Sequence, residues 1–294
     1  IEARGTGQGA DDKLAIIMKY HREILEEMFD EGHSIFATVE EMLSLLPGVP
    51  FHEIAFGKFY DRVVSTGEMV SSTIITAYLN TIDVKATRVD APALIKCTGN
   101  HQNGHVNWPL TRVNIIDDVP PLLAEGIVVT QGFIGSTGSN DVITLGKEGS
   151  DYTAAIFSSC LSAEKVTIWK DVPGILSADP KLIEGAVQLM DLPYTEASEM
   201  TYYGANVIHP KTIKPLANDN IPLIVRSFDN PDLPPTVIHS ADGEALASSV
   251  ILKKKQCLFT FRVRDYTFVD EKSLARIFST LHQYDININM MQSS

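Results

Sequence analysis

The strongest constraint on the fold is a repeated alternation. Three short apolar runs, residues 126–130 (G-I-V-V-T), 165–169 (K-V-T-I-W) and 222–225 (P-L-I-V), are separated by stretches of helical texture. Unbroken apolar runs of this length suit strands covered on both faces. Strand, helix, strand, helix, strand predicts βαβ units, an α/β protein with a mostly parallel sheet sandwiched by helices. Ligands of such sheets gather outside the carboxyl ends of the strands. That brings three segments to one edge: the stretch after Thr130, the loop after Trp169, and residues 144–155 (T-L-G-K-E-G-S-D-Y-T-A-A).

The last of these carries the most chemistry. Gly146 and Gly149 let the backbone approach a ligand closely. Ser150 and Asp151 fall where a helix cap is expected, ahead of a helix over residues 152–159. A helix N-terminus beside Lys147 suits an anion. The competing reading is a glycine turn with an ordinary Ser/Asp cap. Asp171 follows the second apolar run at once, in W-K-D-V-P-G-I-L-S-A-D-P. A carboxylate there suits a ribose hydroxyl or a metal. Pro173–Gly174 makes a tight turn and Asp179–Pro180 closes the loop, and a solvated turn is the alternative. Glu68, in S-T-G-E-M-V-S-S, reads as a first-turn residue of a helix capped by Ser65 or Thr66. His209, ahead of Pro210, reads as structural.

Length and charge narrow the class. The 294 residues suit two domains. A net charge of −13 argues against non-specific binding to nucleic acid or an anionic membrane, but not against a polyanion in a local basic pocket. No run of eighteen apolar residues occurs, so no membrane span is expected, and no basic-then-apolar leader pattern is present. Cys97, Cys160 and Cys257 are widely spaced. They give neither a metal-binding nor a disulfide pattern and suit a reducing, cytoplasmic setting, with Cys160 a small buried hydrophobe.

Elsewhere the pattern predicts a polar boundary over 1–12, helix over 13–46, a break at 47–50, and helices over 51–79 interrupted at 65–68. It predicts a strand over 84–89, a polar loop over 96–106 and a short helix over 120–124. Near residue 249 the texture changes. An alternating strand over 257–263, a helix over 271–284 and a strand over 286–291 make a small α+β unit with an open edge.

Six motifs in order carry a family resemblance: G-F-I-G, T-L-G-K-E-G-S-D-Y-T-A-A, W-K-D-V-P-G-I, A-D-P, E-M-x-Y-Y-G-A-N-V-I-H-P-K-T-I and S-T-G-E-M-V-S-S. Over residues 20–294 the chain resembles aspartate kinase of the amino-acid kinase superfamily, and its last part resembles the opening of an ACT regulatory domain. The resemblance implies an amino-acid kinase domain over 1–248 and the start of an ACT domain over 249–294. It implies ATP-dependent phosphorylation of L-aspartate to 4-phospho-L-aspartate, with Mg²⁺ bridging phosphates. Glu68 would take the substrate amino group; Lys147, Gly149 and Ser150 the substrate carboxylate; Asp151, with Lys147, the transfer centre. Lys170, Asp171, Leu176, Asp179 and Lys181 would face the nucleotide. No general base is implied, since a carboxylate nucleophile needs none. A homodimer through ACT domains and feedback by lysine or threonine are also implied.

The chain departs from the family pattern in places. The Lys-Phe-Gly-Gly-Thr-Ser loop that contacts ATP phosphates has no match, so weak or no turnover is expected of these residues as they stand. Residues 9–14 resemble a degraded Gly-x-Thr-Asp/Asn-Lys-Leu loop, with Asp11 at the threonine. Lys147 stands for the usual Arg and loses its bidentate geometry. Leu176 stands for an aromatic and Asn206 for a common Lys. The competing functions are another amino-acid kinase, a non-catalytic amino-acid-sensing subunit, and the kinase half of a bifunctional aspartokinase–homoserine dehydrogenase.

Overall fold

The computed structural model describes residues 9–49, 54–204, 207–240, 249–253, 256–261, 270–284, 286 and 288–292. Asn206 lies outside them. Among the described residues, three α-helices come first: α1 (Ala10–Met28), α2 (Ile35–Ser44) and α3 (Phe56–Thr81). The apolar phase that predicts one helix over 13–46 is broken by a turn at Gly32, whose φ is 89°. Residues 10–14 form the first turns of α1 rather than a loop. Leu25, Phe29, Val39, Leu43, Val70 and Ile74 bury a common face.

α3 runs without interruption through S-T-G-E, which corrects the expected helix start there. The hydroxyls of Ser65 and Thr66 both donate to Arg62 O, so they bond backward within the helix instead of capping a new one. Glu68 is therefore a mid-helix residue. The expected short helix over 120–124 is likewise the end of a longer one, α5 (Trp108–Leu123).

Parallel pairing appears where the apolar runs predict it. β1 (Ala86–Val89) pairs with β4 (Ile127–Thr130), with Ala86 opposite Ile127. β7 (Val166–Lys170) pairs in parallel with β9 (Leu223–Ser227), with Val166 opposite Leu223. Other strands make the sheets mixed. β10 (Thr236–His239) runs antiparallel to β9 and parallel to β8 (Asp191–Pro193). The polar stretch 96–106 contains a small hairpin of β2 (Cys97–Thr98) and β3 (His105–Val106), and β5 (Ile134–Ser136) pairs with β6 (Val142–Thr144). The short α4 (Ala91–Leu94) follows β1.

One helix joins the two remaining cores. α6 (Gly149–Leu161) packs Ala155 into the cluster around β7 and β9, and Ile156 and Cys160 into the cluster of Ile95, Ile134, Ile143 and Leu145. Its small residues let both layers close on it, and burial on two sides fixes its N-terminus between them. α7 (Tyr194–Tyr203) and α8 (Pro210–Asn218) complete the β9 side, burying Ala197, Met200, Ile213 and Leu216.

Past His239 the expected helix is present as α9 (Glu271–Gln283). Of the two expected strands, the described residues 257–261, 286 and 288–291 form none, and residues 262–263 and 287 lie outside the described residues. A strand needs a neighbour to satisfy its ladder, and among the described residues no strand pairs with these segments. Leu258, Phe259 and Met290 are exposed. Lys253 Nζ holds this segment to α7 through Tyr202 O at 3.3 Å.

Candidate active site

The site grows from the N-terminus of α6. Gly146 has a φ of 82° and Glu148 one of 55°, so the chain turns sharply before entering the helix. Glu148 is the N-cap residue and has no side-chain capping bond. Ser150 and Asp151, expected as caps, occupy the first turn instead. Phe133 leaves no room for a Cβ on Gly149, which would stand 2.7 Å from its ring. A Cβ on Gly132 would stand 2.9 Å from that of Ser150. Phe133 N donates to Thr153 Oγ1 at 3.0 Å, which fixes the segment after β4 on the start of α6.

Asp151 meets Lys170 at 2.7 Å, both largely buried. The last residue of β7 and the first turn of α6 are thus joined by a charged bond, as expected of two strand-end segments on one edge. Asp171 follows and is exposed. Lys147 is 70% exposed, with Nζ 3.8 Å from Glu148 Oε1. Glu148 Oε2 is buried without a hydrogen-bond partner among the described residues.

Glu68 lies on a stretch of α3 that is bonded to this edge. Four residues on, Ser72 Oγ accepts from Gln131 Nε2 at 2.9 Å, and Gln131 Oε1 accepts from Ala91 N at 2.7 Å. Gly132, the next residue, is the one that abuts Ser150. Burial pushes the Glu68 carboxyl above its ordinary 4.5.

The remaining expected residues stand apart. Leu176 bridges Gln188 in the loop between β7 and β8. Asp179 Oδ1 accepts from Lys181 N at 2.9 Å, so this carboxylate organises its own turn. Asp179 and Lys181 are exposed. Among the described residues, no recorded hydrogen bond or ion pair links them to the Asp151–Lys170 pair.

Other residues at this edge carry no catalytic or binding role in the sequence reading. His209 Nδ1 accepts from Lys211 N at 3.1 Å, capping α8, which supports the structural reading of this histidine. Burial lowers its pKa, against the charge of Glu148, which raises it, and with those of Lys211 and Lys147, which lower it. Lys211 Nζ donates to Asn103 Oδ1 at 2.9 Å over the turn at Gly146. The buried Asp61 of α3 accepts from Thr144 at the start of the turn. Its sequence signal is a stripe: Asp61, Ser65, Glu68 and Ser72 share one face of α3 at helical spacing.

Comparison with known proteins shows the family of the chain. Bifunctional aspartokinase/homoserine dehydrogenase 2 of Zea mays is 51% identical over 241 residues, covering 79% of this chain and 26% of that protein. Lysine-sensitive aspartokinase 3 of Escherichia coli is 32% identical over 235 residues, covering 80% of this chain and 52% of that protein. The chain thus spans about half the length of that relative or less. The structure of E. coli aspartokinase III in complex with aspartate and ADP superposes with a TM-score of 0.85 at 29% identity, over 96% of this chain and 64% of that one. The model of the amino acid kinase family matches residues 5–227, a span that contains both strand-end loops and all of α3 and α6. On that match the chain belongs to the amino acid kinase family.

Proposed function

We propose that the chain is the catalytic part of an aspartokinase, moving the γ-phosphoryl group of ATP to the side-chain carboxylate of L-aspartate. The carrying observation is the convergence at one edge of the Gly-rich turn, the Asp151–Lys170 pair and the half-buried Glu68. The likeness to a structure holding aspartate and ADP supports it.

The residues divide the work by charge. Glu68, as a carboxylate, takes the substrate ammonium. Lys147, Ser150 and the backbone at Gly149 take the α-carboxylate at the start of α6, where helix N–H groups are free. The β-carboxylate is ionised at neutral pH and attacks the γ-phosphorus directly; the bond to the β–γ bridging oxygen breaks and ADP leaves. Lys170, oriented by Asp151, neutralises charge gathering on the transferred group. Asp171, Leu176, Asp179 and Lys181 border the nucleotide. The described residues contain no cluster of three or more metal-binding side chains. Mg²⁺ held mainly by phosphates and water fits such a site and would supply neutralisation of phosphate charge.

The further reading is a cytoplasmic homodimer joined through ACT units and inhibited by lysine or threonine. The lysine-sensitive relative favours lysine. A bifunctional parent is the second reading, favoured by the 51% identity to the maize protein.

The test is a coupled ADP-release assay with Mg-ATP and L-aspartate, L-glutamate or no acceptor. It is run on these 294 residues and on a fusion carrying the Lys-Phe-Gly-Gly-Thr-Ser strand of a relative. Aspartate-dependent turnover, faster in the fusion, is expected. Turnover with glutamate alone would identify a different kinase. Lysine or threonine binding with no turnover in either form would identify a sensing subunit.

A further inference from the structure

Asp61 is fully buried near the start of α3, yet the proposed chemistry gives it no part. Its carboxylate is shared among three partners. Oδ1 accepts from Thr144 Oγ1 at 2.7 Å. Oδ2 accepts from Gln102 N at 3.0 Å and lies 2.7 Å from His101 Nδ1. Thr144 ends β6, three residues before Lys147. His101 and Gln102 belong to the β2–β3 turn, which is fastened at two further points. Gly104 N donates to Thr144 O at 2.8 Å, and Asn103 accepts from Lys211 of α8.

One carboxylate therefore ties α3 to the root of the Gly-rich turn and to a strap lying over it. Glu68 is seven residues further along α3, on the same face. The Ser72–Gln131 bond sits beyond it and holds the other strand-end segment. Between these two anchors α3 can neither slide nor roll without breaking buried bonds, and leaving such groups unpaired is costly.

We infer that Asp61 is a positioning residue that fixes the span between Glu68 and Lys147, and so selects an amino acid whose ammonium and carboxylate match that span. This rests on the proposed acceptor site. Asp61 touches no substrate. It acts through Thr144 on one side and the strap on the other, which makes its effect specific to the acceptor.

Isothermal titration of aspartate and of Mg-ATP, alongside turnover, tests this with three variants. Asp61→Asn places an N–H₂ among groups that themselves donate. Thr144→Val removes one hydroxyl at nearly constant shape. Thr144→Ser keeps the hydroxyl. The expected result is a rise in Kd and KM for aspartate on the order of 10- to 100-fold in Asp61→Asn and Thr144→Val, since small displacements of a binding group cost that much. Mg-ATP affinity stays at the parental value, and Thr144→Ser restores aspartate binding. Unchanged aspartate affinity in folded Thr144→Val, or equal loss for both ligands, overturns the inference alone. That variant decides the matter if Asp61→Asn does not fold. A folded parent chain that binds Mg-ATP but not aspartate overturns the proposed function and this inference with it.

Discussion

The two loops bordering the Asp151–Lys170 pair are built in opposite ways. The Gly-rich turn is held from outside: by Asp61 of α3 through Thr144, by Gly104 of the strap, and by Phe133 against Gly149. The loop leaving β7 is held from outside in its inner part alone. Its inner part is anchored, since Ile175 N donates to the buried Thr236 Oγ1. Its outer part relies on Asp179 accepting from Lys181, two residues away. On the proposed reading the first loop, on the acceptor side, is preorganised and should lose little freedom when substrate arrives, whereas the outer part of the second, on the nucleotide side, has fewer bonds from outside to hold it. Substitutions in the first half should be severe and selective for aspartate. Those in the outer loop should be mild and selective for ATP.

The largest effect should come where the halves meet. Lys170→Met leaves Asp151 with its charge uncompensated in a mostly buried place and, on the proposed reading, removes a cation from the phosphoryl path. A loss of about 10²-fold or more in kcat/KM is expected, by analogy with the removal of single electrostatic donors. Steady-state kinetics check this, and a loss confined to KM for ATP would move Lys170 out of the transfer centre.

Glu68→Gln sharpens the acceptor side. KM for aspartate should rise by roughly 10-fold or more, as for a lost charge-assisted bond, with KM for ATP unchanged. The parent has a pH signature. On the proposed reading Glu68 must be ionised to hold the substrate ammonium, and burial raises its pKa above 4.5. Aspartate kcat/KM should therefore fall as pH drops through that raised value, and the Gln variant should lack this limb. Stability has the opposite sign. A raised folded-state pKa contributes stability below the unfolded value that is lost as pH rises through the folded one.

Gly149→Ala tests whether the turn is held by shape. Its Cβ would stand 2.7 Å from the Phe133 ring and 3.1 Å from Phe133 Cα. Overpacking of this kind costs about 1–3 kcal/mol. A thermal melt should register the cost, and a parental Tm would mean that the contact relaxes freely.

Much of this edge was legible in sequence because strand ends and glycines mark it. The 126–130, 165–169 and 222–225 runs became β4, β7 and β9 within one or two residues. What escaped was whatever depends on a distant partner. S-T-G-E reads as a helix start because Ser and Thr favour caps, but within α3 both hydroxyls bond back to Arg62. Asp61 and Gln131 fall in none of the six motifs, and their roles appear only when residues 83 and 59 positions away supply the bonds. The β-pattern of 257–263 is genuine as a pattern, but pairing decides whether it becomes a strand.

The smallest predicted effect probes the outer loop. Asp179→Ala removes the bond to Lys181 N and leaves the backbone bonds from Leu182 and Ile183 to Asp179 O in place. Because the turn is exposed, water can take up the freed N–H, so the stability cost should be near that of a weak cap, about 0.5–1 kcal/mol. If the loop orders only around the nucleotide, the same change should raise KM for ATP a few-fold while leaving KM for aspartate untouched. The double variant with Glu68→Gln should then show additive effects, as expected of sites without shared partners. A rise in KM for aspartate, or strong non-additivity, would mean that the loop reaches across the Asp151–Lys170 pair and that the two halves order together.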